Sequence, residues 1–238
     1  MSTTRNRTLQ EMGLGPLWKL RMAPAPGEGL PGSDGMGEPV PVPAATMDAG
    51  SAMDWDALAN VVRDCAKCRL CESRKQAVLG VGDVSADWLF VGEAPGAEED
   101  LRGEPFVGQA GKLLDNMLAA IGLRRGNDVY IANAVKCRPP ENRTPDAGEM
   151  EACRPYLERQ IALIQPKLIV ALGRPAAQTL LGTEVKIAAA RGRLHQYIGI
   201  PLVVTYHPAY LLRSLPDKSK AWEDLCYMRA TMVNLKGK

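Results

Sequence analysis

A three-layer α/β fold, with a four-stranded and mainly parallel sheet between two layers of helices, is predicted by three features of this 238-residue sequence. Four short apolar or β-branched runs read as strands, amphipathic helical patterns alternate with them, and polar motifs follow the runs at their carboxyl ends. Alternation of strand and helix builds parallel neighbours covered on both faces. The strands are expected at 87–91 (DWLFV), 128–133 (DVYIAN), 167–172 (KLIVAL) and 201–206 (PLVVTY).

Each helix has its own signal. Trp55, Leu58, Val61, Val62 and Cys65 recur at helical spacing behind Ser51 and Asp54, either of which can start a helix. Leu113, Leu114, Met117, Leu118 and Ile121 form one apolar face that ends at Gly122. Thr144 and Pro145 open a third helix, which closes before Pro166, and further helices cover 175–181 and about 220–233.

The folded domain is therefore assigned to residues 55–238, and residues 1–54 to an N-terminal extension. Eleven of the twenty residues 24–43 are Pro or Gly, and residues 23–54 carry five acids with no Lys or Arg, so this stretch has little with which to bury a core. Before it, Thr8 and Glu11 have capping-box spacing and precede Leu9, Met12, Leu14, Leu17, Trp18 and Leu20. Residues 8–21 are thus a candidate docking peptide for a protein partner; the plain alternative is a largely disordered extension.

Composition narrows the class without naming it. With 46% hydrophobic and 24% charged residues, the chain is neither wholly disordered nor fibrous. No run approaches the roughly 20 apolar residues of a membrane span, and the N-terminus lacks the hydrophobic stretch of a signal peptide. An intracellular, cytoplasmic monomer with no membrane partner is expected. The formal charge of +2 identifies no nucleic-acid binder, because a polyanion needs local clusters of cations.

The six cysteines say more. Cys65, Cys68 and Cys71 form C-x2-C-x2-C, and Cys137 and Cys153 form a C-x15-C pair flanking the loop that runs from Arg138 to Pro145. In a reducing compartment such clusters point to metal and not to cross-links. Two distant pairs suggest one four-thiolate site, and ligand softness suits zinc and an iron-sulfur cluster equally. Cys226, on the last helix, is expected in the core. Meanwhile Glu93, Asn133 and His207 follow three different strands, so the topology converges them on one edge, where ligands of such sheets bind.

Taken in order, Gly92-Glu93-Ala94-Pro95-Gly96, Pro105-Phe106-Val107-Gly108, Asn133 ahead of Lys136-Cys137-Arg138-Pro139-Pro140, and His207-Pro208-Ala209-Tyr210-Leu211-Leu212-Arg213 closely resemble the family-4 uracil-DNA glycosylases. The resemblance runs from about Cys65 to the last helix. It implies the uracil-DNA glycosylase-like fold, hydrolytic release of uracil from DNA, and a 4Fe-4S cluster held by Cys65, Cys68, Cys137 and Cys153, with Cys71 outside the pattern.

The chemistry of each group can be argued beside the resemblance. A glycosylase must flip its nucleotide out of the stack, so Phe106 is expected to stack on the extruded base. The Asn133 amide offers the donor and acceptor that match the N3 and O4 edge of uracil. His207 is placed to donate to O2, where negative charge develops as the base departs. Glu93 is the candidate for positioning the water or the backbone, and Ala94 stands in the base site where related glycosylases keep an Asp. Leu211 is expected to wedge into the gap left by the flipped nucleotide, and Arg213 and Arg138 to contact DNA, with Lys136 and Arg143 adding to a basic surface. Two other readings stand beside this one: a uracil-DNA binder or trap that does not turn over, and an inactive, metal-stabilised DNA-binding protein.

Overall fold

Four parallel strands, buried almost throughout, form the centre of a six-stranded sheet in the computed structural model, which describes residues 53–237. In chain order the strands are β1 (Val81–Gly82), β2 (Trp88–Gly92), β3 (Val129–Asn133), β4 (Leu168–Leu172), β5 (Leu194–Tyr197) and β6 (Ile200–Thr205). Their spatial order is β1-β3-β2-β4-β6-β5, and the inner neighbours pair in parallel. β2, β3 and β4 are buried at every position, as a sheet covered on both faces requires.

The helices are α1 (Trp55–Arg63), α2 (Leu70–Ser73), α3 (Ala97–Arg102), α4 (Gln109–Ala120), α5 (Ala147–Ile164), α6 (Arg174–Leu181), α7 (Ile187–Ala190), α8 (Pro208–Leu211) and α9 (Asp217–Lys236). On one face Phe90, Val170 and Val203 pack with Leu114 and Met117 of α4 and with Leu225 and Met228 of α9. On the other, Leu89, Ala132, Ile169 and Val204 pack with Leu157 and Ile161 of α5 and with Ala177 of α6. These two cores make the three layers. Capping fixes where helices begin: Asp54 accepts from the Ala57 N–H at 2.8 Å, and Asp146 and Glu149 form a reciprocal capping box on α5.

The expected four strands are all present, but the sheet has two more. β1 and β5 are short antiparallel edges. β5 reads LHQY, with alternate residues exposed, and it turns into β6 through Ile198 and Gly199, both at positive φ. A two-residue turn of that kind is normally signalled by Asn-Gly or Asp-Gly, which is why an Ile-Gly hairpin escapes a reading of turn residues.

Among the described residues no helix is long and apolar enough to cross a membrane. The N-terminal extension, including the candidate docking peptide at 8–21, lies outside the described residues up to residue 52.

Candidate active site at the carboxyl edge of the sheet

The register of β2 on β3 sets Gly92 beside Asn133 at the strand ends. β2 lies between β3 and β4, so the chain changes direction across the sheet here, the place where sheets of this kind bind ligands beyond the strand ends. A β-carbon on Gly92 would come closer than 3.0 Å to both Asn133 Oδ1 and the Phe106 ring. The absent side chain is therefore what lets those two groups meet. Asn133 is 2% exposed, and its Oδ1 is buried with no hydrogen-bond partner. An orphaned acceptor in such a place costs about 1–3 kcal/mol unless a ligand donates to it.

Phe106 is 6% exposed and adopts φ +54°, a left-handed conformation that is uncommon for an aromatic residue. Its ring lies 5.5 Å from that of His207, centroid to centroid, tilted by 30°. The half-buried His207 caps α8, where its Nδ1 accepts from the Ala209 N–H at 3.1 Å. That bond leaves the proton of the neutral ring on Nε2, as a donor. Burial, with the nearby Arg213 charge adding to it and Glu99 opposing it, lowers the His207 pKa to about 4. Gly173, at φ +88°, makes room for the residue: a β-carbon there would lie 2.8 Å from His207 Cβ.

Glu93 follows Gly92 and is half-buried. Desolvation raises its pKa, while a hydrogen bond with the Thr144 side chain and the charge of Arg174 pull the other way. Ala94 packs at the border of the cysteine-bearing core. Sequence reasoning did not single out Thr144 as a partner of Glu93, nor Arg174, which opens α6 directly behind Gly173.

The structure redraws the expected DNA-facing rim. Leu211 is 1% exposed and lines a groove with Leu113, Met117 and Leu225, so it is not free to enter a helix. The leucine of that run that faces solvent is Leu212, at 43% exposure. α8 is a short turn whose inward face is fixed by core packing, and a heptapeptide motif does not reveal which of two adjacent leucines points inward. Arg213 is exposed. Lys136 is fully buried, so it adds nothing to a basic surface; it donates to the Asn133 carbonyl at 2.7 Å and to Gln160 Oε1. Desolvation lowers its pKa to about 8. Arg143 pairs through both terminal nitrogens with Glu149, which leaves Arg138, bonded to Asn142 Oδ1 at 2.9 Å, as the loop cation of the expected set.

A third apolar cluster holds the cysteines. Cys137, after β3, and Cys153, on α5, are buried with Leu58, Val62, Leu70 and Tyr156, and Cys65 and Cys68 pack against them. Arg74 donates to Cys137 Sγ at 2.8 Å, the Tyr156 hydroxyl to Cys65 Sγ at 3.1 Å, and the Lys136 backbone N–H to Cys153 Sγ at 3.3 Å. Burial pushes the Cys137 thiol up to about 11 against the pull of Arg74, and it raises Cys68 and Cys153 as well. Each of these thiols feels neighbouring sulfurs: Cys65 and Cys71 act on Cys68, and Cys68 acts on both Cys137 and Cys153. Among the described residues no group of three or more His, Cys, Asp or Glu side chains is arranged to hold a metal ion. Cys226 is exposed on α9 and not in the core, because the 20-residue helix turns that position toward solvent.

Known proteins resemble this chain in sequence over the folded region. Residues 79–226 match the family model of the uracil DNA glycosylase superfamily, and the chain belongs to that superfamily. Within it, the chain is 44% identical over 181 residues to the type-4 uracil-DNA glycosylase of Pyrobaculum aerophilum, covering 73% of this chain and 92% of that one. It is 48% identical to the type-4 enzyme of Archaeoglobus fulgidus (66% of this chain, 84% of that one) and 47% identical to that of Thermotoga maritima (64% and 80%). The chain is a member of the type-4 uracil-DNA glycosylases.

Proposed function

We propose that this protein hydrolyses the N-glycosidic bond of uracil in DNA, with Phe106, Asn133 and His207 holding the extruded base. The observation that carries this reading is the buried, unpartnered Asn133 Oδ1 beside the Phe106 ring. In uracil the N3–H donates and O4 accepts; in cytosine the same edge has an unprotonated N3 and an amino group. An Asn133 amide oriented to accept from N3–H and donate to O4 pairs with the first and leaves the second mismatched. His207 Nε2–H faces the O2 side, where it stabilises the departing base. The C1′–N1 bond breaks with its electron pair going to the base, and water adds its oxygen to C1′. The water's proton is released, and the uracil anion takes up one proton in turn. Glu93 is the candidate for orienting that water. Leu212 is the candidate wedge, and Arg213 and Arg138 are the candidate phosphate contacts.

The test is a release assay. Purified protein should convert a uracil-containing oligonucleotide to an alkali-labile abasic product and free uracil; intact DNA after alkali, with normal binding, would defeat the reading. In the same assay Asn133→Ala is expected to raise KM and to lose about tenfold in preference for uracil for each hydrogen bond removed. An unchanged rate and preference would take Asn133 out of the base site.

What supports a 4Fe-4S group is the chemistry of the donor set and not its arrangement: four cysteines share one apolar cluster, and three of their sulfurs receive N–H or O–H donors. Cys65, Cys68, Cys137 and Cys153 would hold it. Such a group supplies a cross-link between segments distant in sequence, here the turn after α1, the loop after β3 and helix α5. The purified protein is expected to be brown, with broad visible absorption and about four irons per chain. Cys153→Ala should remove that absorption and lower Tm. A colourless protein with stoichiometric zinc would overturn the assignment.

A further inference from the structure

The loop that presents Phe106 has no regular secondary structure, so its backbone polar groups need partners from elsewhere. Two charged side chains supply them. Arg125 donates from Nη1 to the Pro105 carbonyl at 2.8 Å and from Nη2 to the Phe106 carbonyl at 2.9 Å. Glu99 Oε1 accepts from the N–H groups of Val107 at 3.0 Å and Gly108 at 3.2 Å. The same carboxylate accepts from the Gly96 N–H at 3.1 Å, which ties this loop to the one that follows β2. Arg125 is itself held by Asp115 on α4, through Nε at 3.1 Å and Nη2 at 3.0 Å. Gly111 completes the seat, since a β-carbon there would overlap the Phe106 carbonyl.

We infer that Arg125 and Glu99 form a backbone clamp that holds Phe106 at positive φ, making Arg125 a positioning residue for base stacking although it lies beyond the far end of α4. A guanidinium is well suited to such a clamp because its planar fork presents several donors in fixed geometry, so it can hold two adjacent carbonyls and a carboxylate together. With the fork removed, the two carbonyls lose their charged donor and the φ +54° conformation loses its restraint. The ring then samples orientations in which it no longer stacks on a flipped base. The inference rests on the proposed stacking role of Phe106.

The experiment is a double-mutant cycle read by inhibition with free uracil and by KM and kcat on a uracil-containing single strand. Arg125→Met is expected to weaken uracil inhibition about tenfold and to raise KM more than it lowers kcat, whereas in a Phe106→Ala background the same change should cost less than twofold. Arg125→Lys keeps the charge and the tie to Asp115 but not the fork, and should fall between; it also serves if Arg125→Met does not fold. Equal losses in both backgrounds, or a lowered Tm with unchanged uracil inhibition, would overturn the clamp. Phe106→Ala with unchanged uracil inhibition would instead overturn the stacking role, and the clamp with it.

Discussion

Gly92→Ala is expected to lower kcat/KM on uracil-containing DNA by about 10²-fold while the protein still folds. Gly92 is not in the left-handed region, so alanine meets no backbone strain there. The cost comes from its neighbours. The new methyl would stand closer than 3.0 Å to Asn133 Oδ1 and to the Phe106 ring, the two groups proposed to frame the base. Phe106 cannot retreat, because its carbonyl is packed against Gly111 and held by Arg125. Asn133 is closed in at 2% exposure, with Lys136 drawn to its carbonyl beneath. Overpacking at such a site costs about 1–3 kcal/mol, and misplacing a binding group by about 1 Å can cost 10²-fold in rate. Steady-state kinetics and a thermal melt check both parts. Wild-type kinetics in Gly92→Ala would mean that the base does not bind between Asn133 and Phe106.

Much of this site was legible in the sequence because its groups sit at strand ends. Glu93, Asn133 and His207 each follow a hydrophobic run, and parallel topology alone brings such ends to one edge. That the two distant cysteine pairs pack into one cluster was legible from their spacing; that they bind metal is a proposal. What escaped was whatever depends on the direction of a side chain within a short element. Leu211 and Leu212 are adjacent leucines of one turn, and only packing against α4 and α9 decides which is buried. Lys136 reads as a surface cation by residue type and loop position, yet its ammonium is buried and tied to the Asn133 carbonyl and to Gln160. Arg125 and Glu99 escaped for a different reason. Their partners are backbone atoms of another segment, and no side-chain pattern in a sequence marks a carbonyl that needs a donor.

His207→Ala is expected to lower kcat by about 10²–10³-fold, the usual cost of removing one preorganised donor from a developing anion, with a smaller change in KM. In the proposed reaction the wild-type imidazole is a neutral donor. Its Nδ1 is occupied as an acceptor by the Ala209 N–H, and burial together with Arg213 keeps its pKa at about 4. The neutral form therefore persists well below pH 6.5, and if that form is the donor the rate should show no loss centred on an ordinary histidine pKa.

The same depression has a signature in stability. In the unfolded chain the ring takes up a proton near pH 6.5, whereas in the folded protein it does so only near pH 4. Between those values the unfolded state binds more protons, so His207 contributes its full share above about pH 6.5 and loses it as pH falls toward 4. The share is about 3 kcal/mol, by the linkage between pKa shift and folding. His207→Ala should flatten that part of the stability profile, so denaturant titrations at about pH 4.5 and about pH 7 should differ less for the variant than for the wild type. A variant that loses rate but keeps the wild-type pH profile would show that burial does not depress the pKa of the imidazole in the folded protein.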